Sequence, residues 1–440
     1  MGKLASSFAN RRTNDIIKNG VRLLVVIGIM YTAETADAVN FDLSLGLFQY
    51  PNPDADSKLI EVTKLVNASQ TGAVCLDGSV PAIHFSEGFE SGTDNWLIHL
   101  EGGGQCSSLE ECAGRTTNET GSSNFMTPMG FAGILSRNKS RNPEFYNWNR
   151  VKVRYCDGAF FAGSASGENE ASKAKGLFFR GQLIWDVVMT ELLGLGMANA
   201  KQAFLTGCSA GGLATLLHCD SFAELFTPGK VNVKCLSDAG FFIDEKDFSG
   251  ANKVESVYHD VVTLQGMEAN LNKECISQLK PSPESQCLFP QNFINNIKTP
   301  VFLVNPIYDA VQMSLFYIPP SLLNDWYPAC AFNYANCTKA LIKELQDFAG
   351  FRGSMLKALS QYQGKKDMGM FIDPCFAHCQ TDTDKWHLRS PKINDKTIAE
   401  AVGDWYFNRK TVQYIDDRAL SANPTCNNKV YESKLERLLH

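Results

Sequence analysis

Three blocks of this sequence carry residue types suited to acyl transfer. The first is Gly207-Cys208-Ser209-Ala210-Gly211-Gly212, which follows the apolar stretch Gln202–Thr206 and precedes a helix-forming run from Leu213. A G-x-S-x-G pattern between a strand and a helix suits a nucleophile, because small flanking residues permit a turn tight enough to lift the Ser209 hydroxyl above a sheet. The amides that open the following helix then face a reacting carbonyl. Without that context, the same glycines describe an ordinary β–α turn with an idle serine. Cys208 is a rival nucleophile by element. The residue before the nucleophile points away from the cleft in such a turn, however, and oxidation would silence a thiol.

The second block is Glu101-Gly102-Gly103-Gly104-Gln105, directly after the apolar run Trp96–Leu100. Missing side chains let the backbone N–H groups of Gly103 and Gly104 approach a substrate oxygen, and the Ala210 amide would complete an oxyanion hole. A triple glycine alone is only a flexible turn; its place upstream of the serine block gives it meaning.

The third block supplies a base and an acid. Val301–Val304 leads to Asp309, and Met368–Ile372 leads to His378, each expected on a loop just past a strand end. In the chain order Ser, acid, His, the His378 ring takes the proton of Ser209, and Asp309 holds its tautomer and steadies the imidazolium. Asp238 and Asp244 are rival acids, and either could instead cap a helix or pair with a cation. His387, nine residues beyond His378, is expected at the surface. Cys375 and Cys379 around His378 could suggest zinc, but an oxidised pair pinning the loop fits an exported chain better, and no metal is assigned.

These residues need a scaffold. Apolar strand candidates are Trp96–Leu100, Val151–Tyr155, Gln202–Thr206, Val301–Val304 and Met368–Ile372, with Lys234–Ser237 a weaker sixth. Helical patterns alternate with them at Gly176–Met197, from Leu213 to His218, and at Thr397–Phe407. Alternation of this kind predicts an α/β fold with a mostly parallel central sheet and helices on both faces. Residues 244–298 are polar, contain proline and carry Cys275 and Cys287, which reads as a disulfide-containing helical insertion within one catalytic domain, 39–440.

Composition narrows the setting. The chain has 440 residues, 44% hydrophobic and 20% charged, which excludes intrinsic disorder, a collagen-like fibre and a multi-span membrane protein. A net charge of −6 offers no basic footprint for nucleic acid. Basic residues up to Arg22, the apolar run from Leu23 to Met30 and Ala36-Asp37-Ala38 describe a secretory signal peptide over 1–38. The long basic region leaves an uncleaved anchor as the other reading; once the leader is removed, no membrane contact is expected. An exported chain meets oxidising conditions, so the 14 cysteines allow up to seven disulfides, with Cys106/Cys112, Cys275/Cys287 and Cys330/Cys337 as local staples. Sequons stand at Asn67, Asn118, Asn138 and Asn336.

Leu100 to Gly103 followed by Cys106, Gly207 to Gly212, Asn305 to Gln312, and Phe376 to Cys379 together resemble the plant pectin acetylesterases, which share a superfamily with the Notum-type carboxylesterases. The likeness runs over nearly all of the mature chain. It implies an α/β-hydrolase fold, a Ser209–Asp309–His378 triad, an oxyanion hole from Gly103, Gly104 and Ala210, and no cofactor. It further implies a monomer, in the cell wall outside the cell, that removes O-acetyl groups from galacturonate units of pectin through an acyl-enzyme. The loop reads Gly103-Gly104-Gln105 where the Notum relatives have an aromatic residue, a difference that weakens any case for a pocket holding a long acyl chain. Alternatives keep the triad but change the ester, to acetylated xylan or an acylated protein, or make the chain an inactive wall-polysaccharide binder. Pectin is a polyanion and this chain is acidic, so a local basic groove is needed. Arg115, Arg150, Lys152 and Arg154 are the candidates, unless they are only solvated surface charges.

Overall fold

The computed structural model describes residues 56, 58–165, 170–247, 249–314, 338, 349–419 and 422–426. The expected leader 1–38, Asn336, and the Cys330/Cys337 pair lie outside the described residues.

Nine strands form the main sheet: β1 (Val62–Lys64), β2 (Ala82–Ser86), β3 (Asn95–Leu100), β4 (Asn149–Val153), β5 (Gln202–Cys208), β6 (Asn232–Asp238), β7 (Val301–Asp309), β8 (Met368–Ala377) and β9 (Gln413–Ile415). Their spatial order is β1-β2-β4-β3-β5-β6-β7-β8-β9. From β4 to β9 all neighbours run parallel, whereas β2 is antiparallel to both β1 and β4. Parallel strands covered on both faces need apolar residues at successive positions, and alternate side chains then enter different cores. Ile98, Leu205 and Leu303 belong to one buried cluster, while Leu97, Phe204 and Phe302 belong to the other. The first cluster is closed by α2 (Gly181–Gly194) and α3 (Ala210–Ala223). The second is closed by α7 (Ile398–Tyr406), started by a Thr397/Glu400 capping box and packed with Trp148 and Trp386.

All six strands read from the sequence are present, with differences that matter at the ends of β7 and β8 and at the start of α2. β7 and β8 run through Pro306 and Pro374 to Asp309 and Ala377, so Asp309 is the last strand residue and not a loop residue. Pro374 is accommodated by a register irregularity between Asp373 and Phe376. β8 is also not the final strand, since the short β9 pairs with its outer edge. The helix expected from Gly176 begins only at Gly181, because Leu177 and Phe179 pack instead beside Leu76, Cys106 and Cys112.

Between β6 and β7, α4 (Lys253–Gln265) and α5 (Lys273–Leu279) bury Val254, Tyr258, Val261 and Cys275 in the first core, with Cys275 bonded to Cys287. A further helix, α6 (Ala349–Ser360), adds Phe351, Met355 and Leu359 to that core. Among the described residues no helix is long and apolar enough to cross a membrane.

Candidate active site

β5 ends at Cys208 and α3 starts at Ala210, so Ser209 alone makes the turn, at φ 59° and ψ −124°. A left-handed φ is costly for a residue with a side chain and persists only where the surroundings enforce it. Here the Ser209 N–H donates to the Asp238 carbonyl (2.9 Å), and the Ser209 carbonyl accepts from the Leu213 N–H (3.0 Å). The flanking residues must be small: a Cβ on Gly207 would overlap the Gly211 carbonyl, and one on Gly211 would overlap the Leu100 carbonyl. The Ser209 hydroxyl accepts no capping hydrogen bond from α3.

The glycine loop after β3 crosses directly over this turn. A Cβ on Gly102 would lie 2.7 Å from the Cys208 carbonyl and 3.0 Å from the Ser209 Cβ. Gly103 has φ 148°, and a Cβ there would press on the Tyr155 ring at 2.9 Å. The loop carbonyls face away and are tied down: the Arg115 Nη1 donates to the Gly103 oxygen (2.8 Å), and the Tyr155 hydroxyl donates to the Gly104 oxygen (2.8 Å). Among the described residues, the Gly103, Gly104 and Ala210 amides donate to no protein acceptor.

At the ends of β7 and β8 the acid and base meet. The His378 Nδ1–H donates to Asp309 Oδ2 at 2.7 Å, and Asp309 Oδ1 accepts the Gln312 N–H at 2.8 Å. Asp309 is fully buried and the His378 side chain is 10% exposed. With Nδ1 committed to the carboxylate, Nε2 is the nitrogen left for proton transfer, and it has no hydrogen-bond partner among the described residues. No hydrogen bond joins the Ser209 hydroxyl to the imidazole; such bonds often shorten only in the substrate complex. Their neighbours are joined covalently instead. Cys208, just before Ser209, is bonded to Cys379, just after His378, with a Cα–Cα separation of 5.4 Å.

Burial by itself would lower the His378 pKa. The Asp309 carboxylate, with Asp238 and Asp382, outweighs it, and the net direction is up. Asp238, the rival acid, makes no hydrogen bond to the ring and acts on it through charge alone. Its Oδ2 accepts the backbone N–H and the hydroxyl of Thr381, both at 2.7 Å, so it holds the loop that carries His378. Burial pushes its own pKa up to about 7. Asp382, next in that loop, pairs with His99 (2.9 Å) and Lys152 (3.7 Å), which pull it well down against burial. Lys152 also reaches Glu101 (3.7 Å), at the root of the glycine loop. Sequence reasoning assigned no role to Glu101, which opens the glycine block, or to Asp382, three residues past Cys379. The other rivals stand apart. Asp244 accepts from Gln286, and His387 is half-buried against Thr397 and not a surface residue.

Two sequence expectations are corrected here. Cys375 and Cys379 do not pair with each other: Cys375 bonds to Cys426 and Cys379 to Cys208. Those sulfurs, Cys208 included, have no thiolate to offer zinc or a substrate. Nor do the four cations form an open groove or solvated charges. Arg150 is spent on the Trp148 and Leu135 carbonyls and Ser86, Arg154 on Glu101 and Glu119, Lys152 on two carboxylates, and Arg115 on Gly103. Buried cations are retained where polar partners replace water.

Residues 54–427 match the sequence pattern of the family described as Pectinacetylesterase. The chain belongs to that family. Pectin acetylesterase 5 of Arabidopsis thaliana is 49% identical, over 86% of this chain and 88% of its own. Pectin acetylesterase 4 of the same plant is 45% identical, over 90% and 94%. The palmitoleoyl-protein carboxylesterase notum1 of Xenopus laevis is 32% identical over 65% of this chain and 60% of its own length. The crystal structure of the Wnt deacylase Notum from Drosophila superposes with a TM-score of 0.69 at 21% identity, covering 84% of this chain and all of that one, which establishes a shared α/β-hydrolase-like fold. As a pectinacetylesterase family member, the chain is a carboxylic ester hydrolase.

Proposed function

We propose that this chain is a secreted serine esterase that releases acetate from O-acetylated galacturonate units of pectin, with Ser209 as nucleophile, His378 as base and Asp309 as its orienting acid. The reading is carried by one observation: a buried carboxylate 2.7 Å from His378 Nδ1, with Nε2 unpartnered and a disulfide linking the residues beside His378 and Ser209.

The Ser209 oxygen attacks the acetyl carbonyl as its proton passes to His378 Nε2. Negative charge then collects on the carbonyl oxygen, where the Gly103, Gly104 and Ala210 amides stabilise it. The tetrahedral centre collapses, and the protonated imidazole gives its proton to the departing sugar oxygen. Water deprotonated by the same ring then releases acetate from Ser209. A Cβ at Gly104 would meet nothing within 4 Å, so the space beside the hole is open to a polymer-borne ester.

Export to the cell wall is supported by the leader composition and by six disulfides with no free cysteine among the described residues. Asn67 and Asn138 are exposed and Asn118 half-buried, which suits glycosylation. The test is acetate release from acetylated pectin and acetylated xylan side by side. Wild type acts on pectin in preference to xylan, and Ser209→Ala stays folded and inactive. Retained activity in that variant overturns the reading.

A further inference from the structure

The glycine loop is supported from behind by a cation that the reaction scheme does not use. Arg115 ends α1 (Leu109–Arg115), a helix tied back to the loop by the Cys106–Cys112 disulfide. Its side chain is buried, and its Nη1 donates to the Gly103 carbonyl at 2.8 Å. Its guanidinium lies over the Tyr155 ring, 5.5 Å from the centroid. Tyr155 in turn donates its hydroxyl to the Gly104 carbonyl and accepts the Phe160 N–H at 3.1 Å.

A peptide unit is one dipole. The Gly103 C=O and the Gly104 N–H belong to the same unit and point in opposite directions. A guanidinium on that carbonyl draws electron density toward oxygen and leaves the N–H a stronger donor, and charge-assisted bonds of this kind are about twice as strong as neutral ones. The Tyr155 hydroxyl does the same, without charge, to the next unit.

We infer that Arg115 is a positioning residue for the esterase reaction: through the Gly103 carbonyl it fixes and polarises the peptide whose other end, the Gly104 N–H, receives the developing oxyanion. The inference rests on the proposed reading of the site. Arg115 is buried on the carbonyl side of this peptide, away from the N–H that serves the hole, where its charge helps only when negative charge appears on the substrate. Its contribution therefore belongs to the transition state and not to ground-state binding.

The test compares Arg115→Gln, Arg115→Lys and Tyr155→Phe with wild type and Ser209→Ala, using acetate release and inhibition by a trifluoromethyl ketone that forms a tetrahedral oxyanion on serine. Deleting a hole donor outright costs roughly 100- to 1,000-fold. Arg115→Gln, which weakens one donor, is expected to lose about tenfold in kcat with KM within twofold. Its ketone inhibition constant should rise by the same factor, and lysine should restore most of the loss. Tyr155→Phe, which removes a neutral donor from the Gly104–Gln105 unit, should lose less than Arg115→Gln. If Arg115→Gln fails to fold, Arg115→Lys carries the test, since any loss it shows must again fall on kcat and the ketone constant together. Equal damage from Lys and Gln, a loss borne by KM, an unchanged ketone constant or a larger loss in Tyr155→Phe each overturns the inference. An active Ser209→Ala would instead remove the reading beneath it.

Discussion

Cys208 and Cys379 stand 171 residues apart in the chain and are bonded to each other, each adjacent to one partner of the proposed proton transfer. The bond couples the nucleophile turn to the histidine loop, which otherwise approach from separate strands, β5 and β8. Closing a loop of that length removes unfolded-state entropy worth about 5 kcal/mol in the chain-entropy account. The double variant Cys208→Ser/Cys379→Ser should melt at lower temperature in calorimetry. It should also lose acetate release by at least about tenfold well below its own melting point, since small misplacements of reacting groups are costly. Full activity in the folded double variant contradicts the coupling.

The charges around His378 predict the pH profile. A general base works in its neutral form, so kcat/KM climbs as pH rises through the pKa of the free enzyme's imidazole. Asp309, Asp238 and Asp382 together hold that pKa above the ordinary 6.5 despite burial. The acidic limb should therefore lie above 6.5, and Asp238→Asn, which removes the negative charge that this carboxyl acquires around pH 7, should move it down. A limb that stays in place in Asp238→Asn is the contrary outcome.

Asp238 also predicts a stability trend. An unfolded aspartate titrates near 3.8 and this buried one at about 7. Between those values the folded chain holds a proton that the unfolded chain has released. The carboxyl thus weakens the fold progressively as pH rises, by an amount on the order of a few kcal/mol once both states are ionised. Asparagine does not titrate and its Oδ1 can still accept from Thr381. The melting temperature of Asp238→Asn minus that of wild type should consequently increase across this pH window. Asp373, likewise raised to about 7 by burial, should give the same trend. A difference that is flat or falling with pH refutes the assignment.

Salt should act in an unusual direction. The net charge is −6, and Arg115, Arg150, Lys152 and Arg154 are engaged inside the protein. Long-range attraction for polyanionic pectin is then absent, and screening relieves repulsion. KM for pectin should fall or hold steady from low to physiological ionic strength, read by acetate release. A steep rise in KM would reveal an attractive cationic surface elsewhere.

What could be read from the sequence follows what hydropathy and residue size record. Phe204 and Leu205 differ in which core they enter, yet both are apolar, so β5 was evident; Gly207 and Gly211 are required by backbone collisions, so the turn was evident too. Asp309 and Asp238 were harder to separate because both end a buried strand, and only side-chain direction decides that one meets the ring and the other Thr381. Arg154 shows a different gap. Its burial depends on Glu101 and Glu119, 53 and 35 residues away, a pairing that no local pattern announces. The same holds for the Cys208 partner. β9 was missed because Gln413–Ile415 is short, half-buried and stabilised by its neighbour β8.

The most direct measurement is the mass of enzyme quenched in acid during turnover of an acetyl ester, followed by mapping of the modified peptide. The predicted result is a single acetyl group on Ser209, formed in wild type, absent from Ser209→Ala and formed far more slowly in Asp309→Asn. An acetyl group on another residue, or acetate release at the wild-type rate from Ser209→Ala, would contradict the account.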